Sequence, residues 1–334
     1  MDSRRISGLT PRPRDRELHS LEQLSLLRQL HAANGLSFND AMFLATQFVH
    51  HGFFEAEGVL ATLLREVPHA SARRYLTRLS GRHAAIQSLP ALRKVLCDKQ
   101  RLTALYDPAL STFFVPGSSR ADTAVIVFTT VNNNFGVSNA VLDAVLEDLG
   151  VARLYLKDTS RYIYFRGVET LCSSLVDLPP AIARLLRGKG IRNVVVTGFS
   201  SGGFAALYTA AVLDASACLA FSAGTDISAG SMVQQPTVFS NICDEIDFYN
   251  RVNTRDVIAL SKSAPGSFRL YYGLDHPIDR AHALQLSGLP QIRLVELDDC
   301  GHFATTTLME RGEFASAFRD ALGGAPPSAG AIND

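Results

Sequence analysis

The chain lacks an excess of charge of either sign. Its 334 residues carry 32 lysines and arginines against 32 aspartates and glutamates. A balanced composition gives no global field that would attract nucleic acid or an anionic membrane surface. The sequence therefore predicts neither of these partners.

Cysteine is scarce, and long apolar runs are missing. The five cysteines are odd in number and widely spaced, so they predict neither a disulfide framework nor a metal site and suit a reducing compartment. No run of about eighteen apolar residues occurs, which argues against a membrane span. The stretch from Met1 to Arg16 lacks the apolar segment of a secretory signal. These absences predict a cytoplasmic protein.

Residues 18–100 have the apolar periodicity of helices, with leucines recurring at intervals of three and four. The part from Ala45 to Pro68 resembles, weakly, one tetratricopeptide-type helical hairpin, and no second copy follows. Two interpretations are open. The helices either pack on the main domain as an extension, which we favour, or present a docking surface to a protein partner.

Residues 101–322 alternate short apolar strands with helices, which predicts an α/β domain. Leu102–Tyr106 and Ser111–Val115 are predicted to pair as a hairpin. The alternation predicts a mainly parallel sheet of about eight strands covered by helices. The remaining segments, 1–17 and 323–334, are predicted to be disordered tails. Further strands are predicted at 124–129, 152–156, 193–197, 217–221, 268–272 and 292–297.

A Gly-x-Ser-x-Gly pentapeptide, Gly198 to Gly202, lies between a predicted strand and a predicted helix. A serine on such a tight turn exposes its hydroxyl, and the following helix N-terminus directs backbone N–H groups at a developing anion. The motif therefore predicts Ser200 as a nucleophile. The competing prediction, a dinucleotide-binding glycine turn, is disfavoured because the motif follows several earlier strands and no acidic residue ends the next one.

The nucleophile needs a base and an orienting acid. Six of the nine histidines precede residue 101, and His302 follows the last predicted strand, so we predict His302 as the base. Asp275, directly after the preceding strand, is favoured as the acid. Asp279 is the alternative, although N-capping of a helix would also explain it.

The chain resembles the α/β-hydrolase superfamily over about residues 102–322. Three features carry the resemblance: the turn of the Gly-x-Ser-x-Gly motif between strand and helix (the nucleophile elbow, here called the elbow), the order Ser–Asp–His, and the Gly301-His302 pair. The resemblance implies a Ser-His-acid triad formed by Ser200, His302 and Asp275 or Asp279. It also implies an oxyanion hole with the backbone N–H of Ser201 as one donor. The second donor would come from the loop after the first parallel strand, where Val131 and Asn132 are the candidates.

The looser pattern of Tyr272-Gly273, Asp279 and His282-Ala283 resembles members of the superfamily found around bacterial surface-polysaccharide and glycoprotein export. The predicted function is that of a serine hydrolase acting on a small-molecule or saccharide carboxylic ester, without a metal or organic cofactor. An acyltransferase of the same fold, or a catalytically silent fold that binds a protein, are the alternatives.

Overall fold

The computed structural model describes residues 38–67, 69–227 and 253–323. The predicted tail 1–17, the apolar stripe before residue 38 and nearly all of the tail 323–334 lie outside the described residues. Within them, no helix is long and apolar enough to cross a bilayer.

Between Phe38 and the sheet the described residues form five helices, as the periodicity predicts. The prediction of a strand at Leu102–Tyr106 is wrong, because these residues belong to the fifth helix. Its start is fixed by Asp98, whose carboxylate accepts a hydrogen bond from the backbone N–H of Arg101 at 3.0 Å. The helices are α1 (Phe38–His51), α2 (Ala56–Glu66), α3 (Ala70–Gln87), α4 (Leu92–Cys97) and α5 (Lys99–Tyr106).

Seven strands form one sheet in the order β1-β3-β2-β4-β5-β6-β7 among the described residues. Only β1 is antiparallel, and it pairs with β3 rather than with a hairpin partner. The predicted mainly parallel sheet is confirmed, with seven strands in the described ranges against the expected number of about eight. The strands are β1 (Thr112–Val115), β2 (Arg120–Phe128), β3 (Val151–Leu156), β4 (Asn193–Phe199), β5 (Ala217–Phe221), β6 (Phe268–Gly273) and β7 (Ile292–Leu297).

Helices follow most of the parallel strands. The helix before β4 begins at Leu178, and Pro179 and Pro180 occupy its first turn. Proline suits a first turn but disfavours helical geometry in the residue before it. The helices are α6 (Asn139–Asp148), α7 (Leu178–Gly188), α8 (Ser201–Val212), α9 (Thr254–Leu260), α10 (Pro277–Gln285), α11 (Ala304–Glu310) and α12 (Phe314–Gly323).

The sheet is buried on both faces, and alternate side chains along each strand enter different hydrophobic clusters. In β2, Val125 and Val127 face a cluster that includes α6, α11 and α12, whereas Ala124 and Ile126 face α7, α8 and α10. The first cluster also contains the apolar side chains of α1 to α5. The helical region therefore packs on one face of the sheet.

A buried charge cluster joins the helical region to the sheet. Arg101 of α5 forms ion pairs with Asp143 and Glu147 of α6. Arg153 of β3 contacts the same two carboxylates, at 3.2 Å and 2.6 Å. Burial alone would raise the pKa of Glu147, but hydrogen bonds from Lys94 and Arg101 and the charge of Arg153 lower it to about 2.

We expect Glu147→Gln to reduce the free energy of unfolding at pH 7 by about 2 kcal/mol, because it removes charged hydrogen bonds to arginines that stay buried. The folded pKa is below the ordinary value of 4.5, so this stabilisation is complete above pH 4.5 and disappears as the pH falls toward 2. Urea unfolding of both proteins at pH 7, 4 and 3 measures it. As a control, Asp122→Asn breaks the exposed Asp122–Arg192 pair and should change stability by under about 0.5 kcal/mol. A pH-independent difference between wild type and Glu147→Gln would contradict this account.

Candidate active site

Ser200 lies on a sharp turn between β4 and α8. Its backbone has φ 53° and ψ −119°, a conformation that residues with a side chain rarely adopt. The turn closes tightly: a Cβ at Gly198 would lie 2.2 Å from the carbonyl oxygen of Gly202, and one at Gly202 would lie 2.3 Å from that of Phe128. Both motif glycines are therefore required by close backbone approach.

The imidazole of His302 lies between Ser200 and a carboxylate. His302 Nε2 is 3.0 Å from Ser200 Oγ. His302 Nδ1 is 2.9 Å from Oδ2 of Asp279 and 3.0 Å from its Oδ1. The predicted pairing of serine and histidine is thus present in the geometry, across 102 positions of the chain.

Asp279, the alternative acid, lies beside His302, whereas the favoured Asp275 does not. Asp275 lies in the turn after β6, where its backbone N–H donates to the carbonyl of Cys300 at 3.0 Å and its side chain is exposed. Asp279 lies one helical turn further on, in the first turn of α10, and is only 4% exposed. A helix N-terminus stabilises the negative charge there.

Close approach of two loops brings the acid and the histidine together. β6 and β7 are paired in parallel up to Gly273 and Leu297, so the loops that follow them leave the same edge of the sheet. A Cβ at Gly273 would lie 2.1 Å from the carbonyl oxygen of Cys300 and 2.2 Å from that of Gly301. The glycine of the Tyr272-Gly273 pair therefore allows the loop of His302 to approach that of Asp279.

A second histidine, His276, also contacts the carboxylate of Asp279. The sequence patterns did not indicate this contact. His276 Nδ1 is 2.9 Å from Oδ1 of Asp279 and 3.2 Å from the backbone N–H of the same residue. His276 is the N-cap of α10, and its ring centroid is 5.1 Å from that of His302. The three-residue spacing from His276 to Asp279 across the start of α10 is the sequence feature that could have indicated this contact.

These three residues also form a group with metal-ligand chemistry. One ligand atom each from His276, Asp279 and His302 lies within 4.8 Å of the others, and this is the only such group of three among the described residues. His282, in contrast, has a structural role. It is buried, burial lowers its pKa below the ordinary value, and its Nδ1 accepts the backbone N–H of Thr225 at 3.2 Å.

The loop after β2 reaches the elbow. The backbone N–H of Val131 donates to Oγ of Ser201 at 3.3 Å. The N–H of Asn132 instead donates to Thr130 Oγ1 in its own turn at 3.3 Å, and its side-chain carbonyl accepts from Arg161 at 3.2 Å. Of the two predicted loop donors, Val131 is thus the one that faces α8.

A buried tyrosine that no sequence motif indicates holds this loop. Tyr164 Oη lies 2.8 Å from the carbonyl oxygen of Thr129 and 2.7 Å from that of Leu156. Burial raises the pKa of Tyr164 well above its ordinary value, so the hydroxyl keeps its proton for donation. Tyr164 itself has φ 65°, which sequence patterns do not reveal.

Aromatic side chains line one side of His302. The ring of Phe199 is 5.3 Å from the imidazole and stacks on Phe303 at 6.0 Å. Phe199 is buried, whereas Phe303 is 50% exposed. An exposed ring beside the imidazole is an apolar contact surface for a bound molecule.

The sheet order and the elbow are those of the α/β-hydrolase fold. No protein-family model matches the chain, and no curated protein matches it. Solved structures similar to it include a carboxylesterase of Nitrososphaera gargenis (12% identity, 64% of this chain and 93% of that one, TM-score 0.44). An S-formylglutathione hydrolase from Agrobacterium tumefaciens is another (10% identity, 63% of this chain and 85% of that one, TM-score 0.45). The esterase Est2 of Thermogutta terrifontis is a third (13% identity, 65% of this chain and 89% of that one, TM-score 0.42).

We expect Gly273→Ala to lower the free energy of unfolding by about 1–3 kcal/mol, because the new methyl group would overlap the backbone of the His302 loop. Urea unfolding measures the change. Gly301→Ala is the matched control, since a Cβ at Gly301 meets nothing within 4 Å, and it should stay within about 0.5 kcal/mol of wild type. Equal effects of the two substitutions would contradict the proposed requirement for close approach.

Proposed function

We propose that the chain is a serine hydrolase that cleaves a carboxylic ester through an acyl-enzyme formed on Ser200. The observation that carries the proposal is the continuous chain of hydrogen-bond distances from Ser200 Oγ through His302 to the buried carboxylate of Asp279. A serine hydroxyl is a weak nucleophile until a base accepts its proton, and the base needs an acid that fixes its tautomer. Asp279 takes the role of that acid in place of Asp275.

Acylation begins with attack of Ser200 Oγ on the ester carbonyl carbon, while His302 Nε2 takes the hydroxyl proton. Asp279 accepts the hydrogen bond from Nδ1–H and stabilises the imidazolium. The tetrahedral intermediate collapses when the alcohol leaves with the proton from Nε2. Water, deprotonated by the same nitrogen, then attacks the acyl-enzyme, and the acid is released with Ser200 regenerated.

The negative oxygen of the intermediate would be bound by two backbone N–H groups. Ser201 is the first residue of α8, so its N–H has no acceptor within the helix. Val131 is the second donor, because its N–H lies 3.3 Å from Oγ of Ser201, beside the elbow. An oxyanion is a stronger acceptor than the Ser201 hydroxyl and would take over this bond.

For the substrate, we retain an acylated saccharide as the prediction. The half-exposed ring of Phe303 supports it, since an aromatic ring offers apolar surface to one face of a sugar. Arg161 donates a hydrogen bond at 3.2 Å to Asn132 of the loop after β2. This exposed pair supplies hydrogen-bonding groups for the sugar hydroxyls.

Ser200→Ala is expected to reduce hydrolysis of short p-nitrophenyl esters by about six orders of magnitude and to abolish labelling by a fluorophosphonate probe. The neighbouring Ser201→Ala is the matched control. It keeps the backbone N–H and should retain activity within about tenfold of wild type. Labelling of the Ser200→Ala protein at the wild-type rate would refute the nucleophile, and a folded wild type without activity or labelling would favour a catalytically silent fold.

Asp279→Asn is expected to lower kcat by about four orders of magnitude, because an amide beside Nδ1 favours the tautomer that cannot accept the serine proton. Asp275→Asn, on the exposed turn, should leave kcat within about twofold of wild type, the range expected for a surface position. Steady-state kinetics of both variants decide between the two acids. If Asp275→Asn is the more damaging substitution, Asp275 and not Asp279 is the acid of the triad.

A further inference from the structure

His276 is in contact with the Asp279 carboxylate without belonging to the proposed triad. Its Nδ1 lies 3.2 Å from a donor, the Asp279 N–H, and 2.9 Å from an acceptor, Oδ1 of the same residue. As an acceptor, Nδ1 presents its lone pair close to the carboxylate oxygen, and both atoms are of the kind that bind a metal cation. A cation bound to them would take the lone pair of Nδ1 in place of the helix-cap hydrogen bond.

We propose that His276, Asp279 and His302 form a binding site for a divalent transition-metal ion of the zinc class, and that occupation of this site switches the triad off. Two imidazole nitrogens and a carboxylate oxygen are a ligand set that zinc accepts, with a fourth position for water. The ion is an external regulator and takes no part in ester cleavage.

The distances fit a small ion after minor adjustment. Ligand atoms around a tetrahedral zinc lie about 3.3 Å apart, since each bond is about 2.0 Å long. Nδ1 of His276 lies 2.9 Å and Nδ1 of His302 lies 3.0 Å from the same oxygen, Oδ1 of Asp279, and one ligand atom from each of the three residues lies within 4.8 Å of the others. The imidazoles therefore need only small movements to enclose the ion.

The site is open to solvent on the histidine side. The side chains of His276 and His302 are each 33% exposed, and that of Asp279 is 5% exposed. An ion can therefore enter between the rings and meet a buried carboxylate. Burial strengthens the attraction, because the carboxylate is poorly screened by water.

Occupation and catalysis exclude each other at His302. A metal ion bound to Nδ1 uses the lone pair of that nitrogen, so the proton of the neutral ring stays on Nε2. Nε2 then donates to Ser200 Oγ and has no lone pair to accept the hydroxyl proton. The ion also occupies the carboxylate that would stabilise the imidazolium. This consequence depends on the proposed function, whereas binding of the ion does not.

The test measures zinc binding and inhibition separately, on full-length protein without a polyhistidine tag. Isothermal titration with zinc chloride in a non-chelating buffer should show one site in the wild type and in Ser200→Ala. Zinc should abolish hydrolysis of p-nitrophenyl esters by the wild type, and EDTA should restore it. His276→Asn removes one ligand and keeps an N-cap acceptor for α10. Its zinc affinity should fall by more than about tenfold, because even loss of a residue supporting a ligand costs that much.

His69→Asn is the matched control. His69 is likewise exposed and precedes a helix as its N-cap, but it belongs to no group of three ligand-type side chains among residues 38–67, 69–227 and 253–323. Its zinc affinity and inhibition should equal those of the wild type. Circular dichroism verifies that each variant is folded.

Three results would overturn the proposal: no zinc binding by the wild type, wild-type affinity in His276→Asn, or binding that requires His276 but leaves ester hydrolysis unchanged. Calorimetry needs no catalytic activity. If the chain hydrolyses no ester, the binding titrations still decide whether the metal site exists, so failure of the proposed function and failure of the site give different results.

Discussion

Close backbone approach at a few glycines is the constraint on which the site depends. At Gly198 and Gly202 it lets β4 turn sharply into α8, which leaves Ser200 in a strained conformation at the edge of the sheet. At Gly273 it brings the loop of Asp279 against the loop of His302. Three side chains from distant parts of the chain then meet on short connections that leave one edge of the sheet. Because these connections are short, the strands hold the three side chains in fixed relative positions.

The sequence predicts that Ser200 and His302 meet because Ser200 follows β4 directly, His302 lies on the short loop after β7, and the carboxyl ends of parallel strands share one edge. The proposed acid is harder to predict, since a turn separates Asp279 from β6. Asp275 is the nearer residue, but the backbone of this turn bonds to Cys300 and leaves its side chain exposed. Only the direction in which α10 starts places Asp279 inward. Tyr164 has a positive φ, a backbone conformation for which the sequence has no pattern.

The fold shows where short-range patterns are sufficient. Strands β2 to β7 are short apolar runs, too short for a typical helix, and their observed positions agree with the predicted ones. Leu102–Tyr106 is ambiguous by alternation alone, and the N-cap at Asp98 decides for a helix. The apolar stripes of α1 to α5 lie in the same hydrophobic cluster as one face of the sheet. The arrangement therefore agrees with the interpretation of a packed extension, and these apolar faces already have a partner within the chain.

The charges around Asp279 follow from the same geometry. A carboxylate in the first turn of a helix is stabilised by the backbone N–H groups and here contacts two imidazoles. Both rings contact this one carboxylate, and their centroids are 5.1 Å apart. The residue that caps α10 therefore lies against the carboxylate that would orient the proposed base. The start of α10 and the geometry of the proposed triad thus depend on the same two residues, His276 and Asp279.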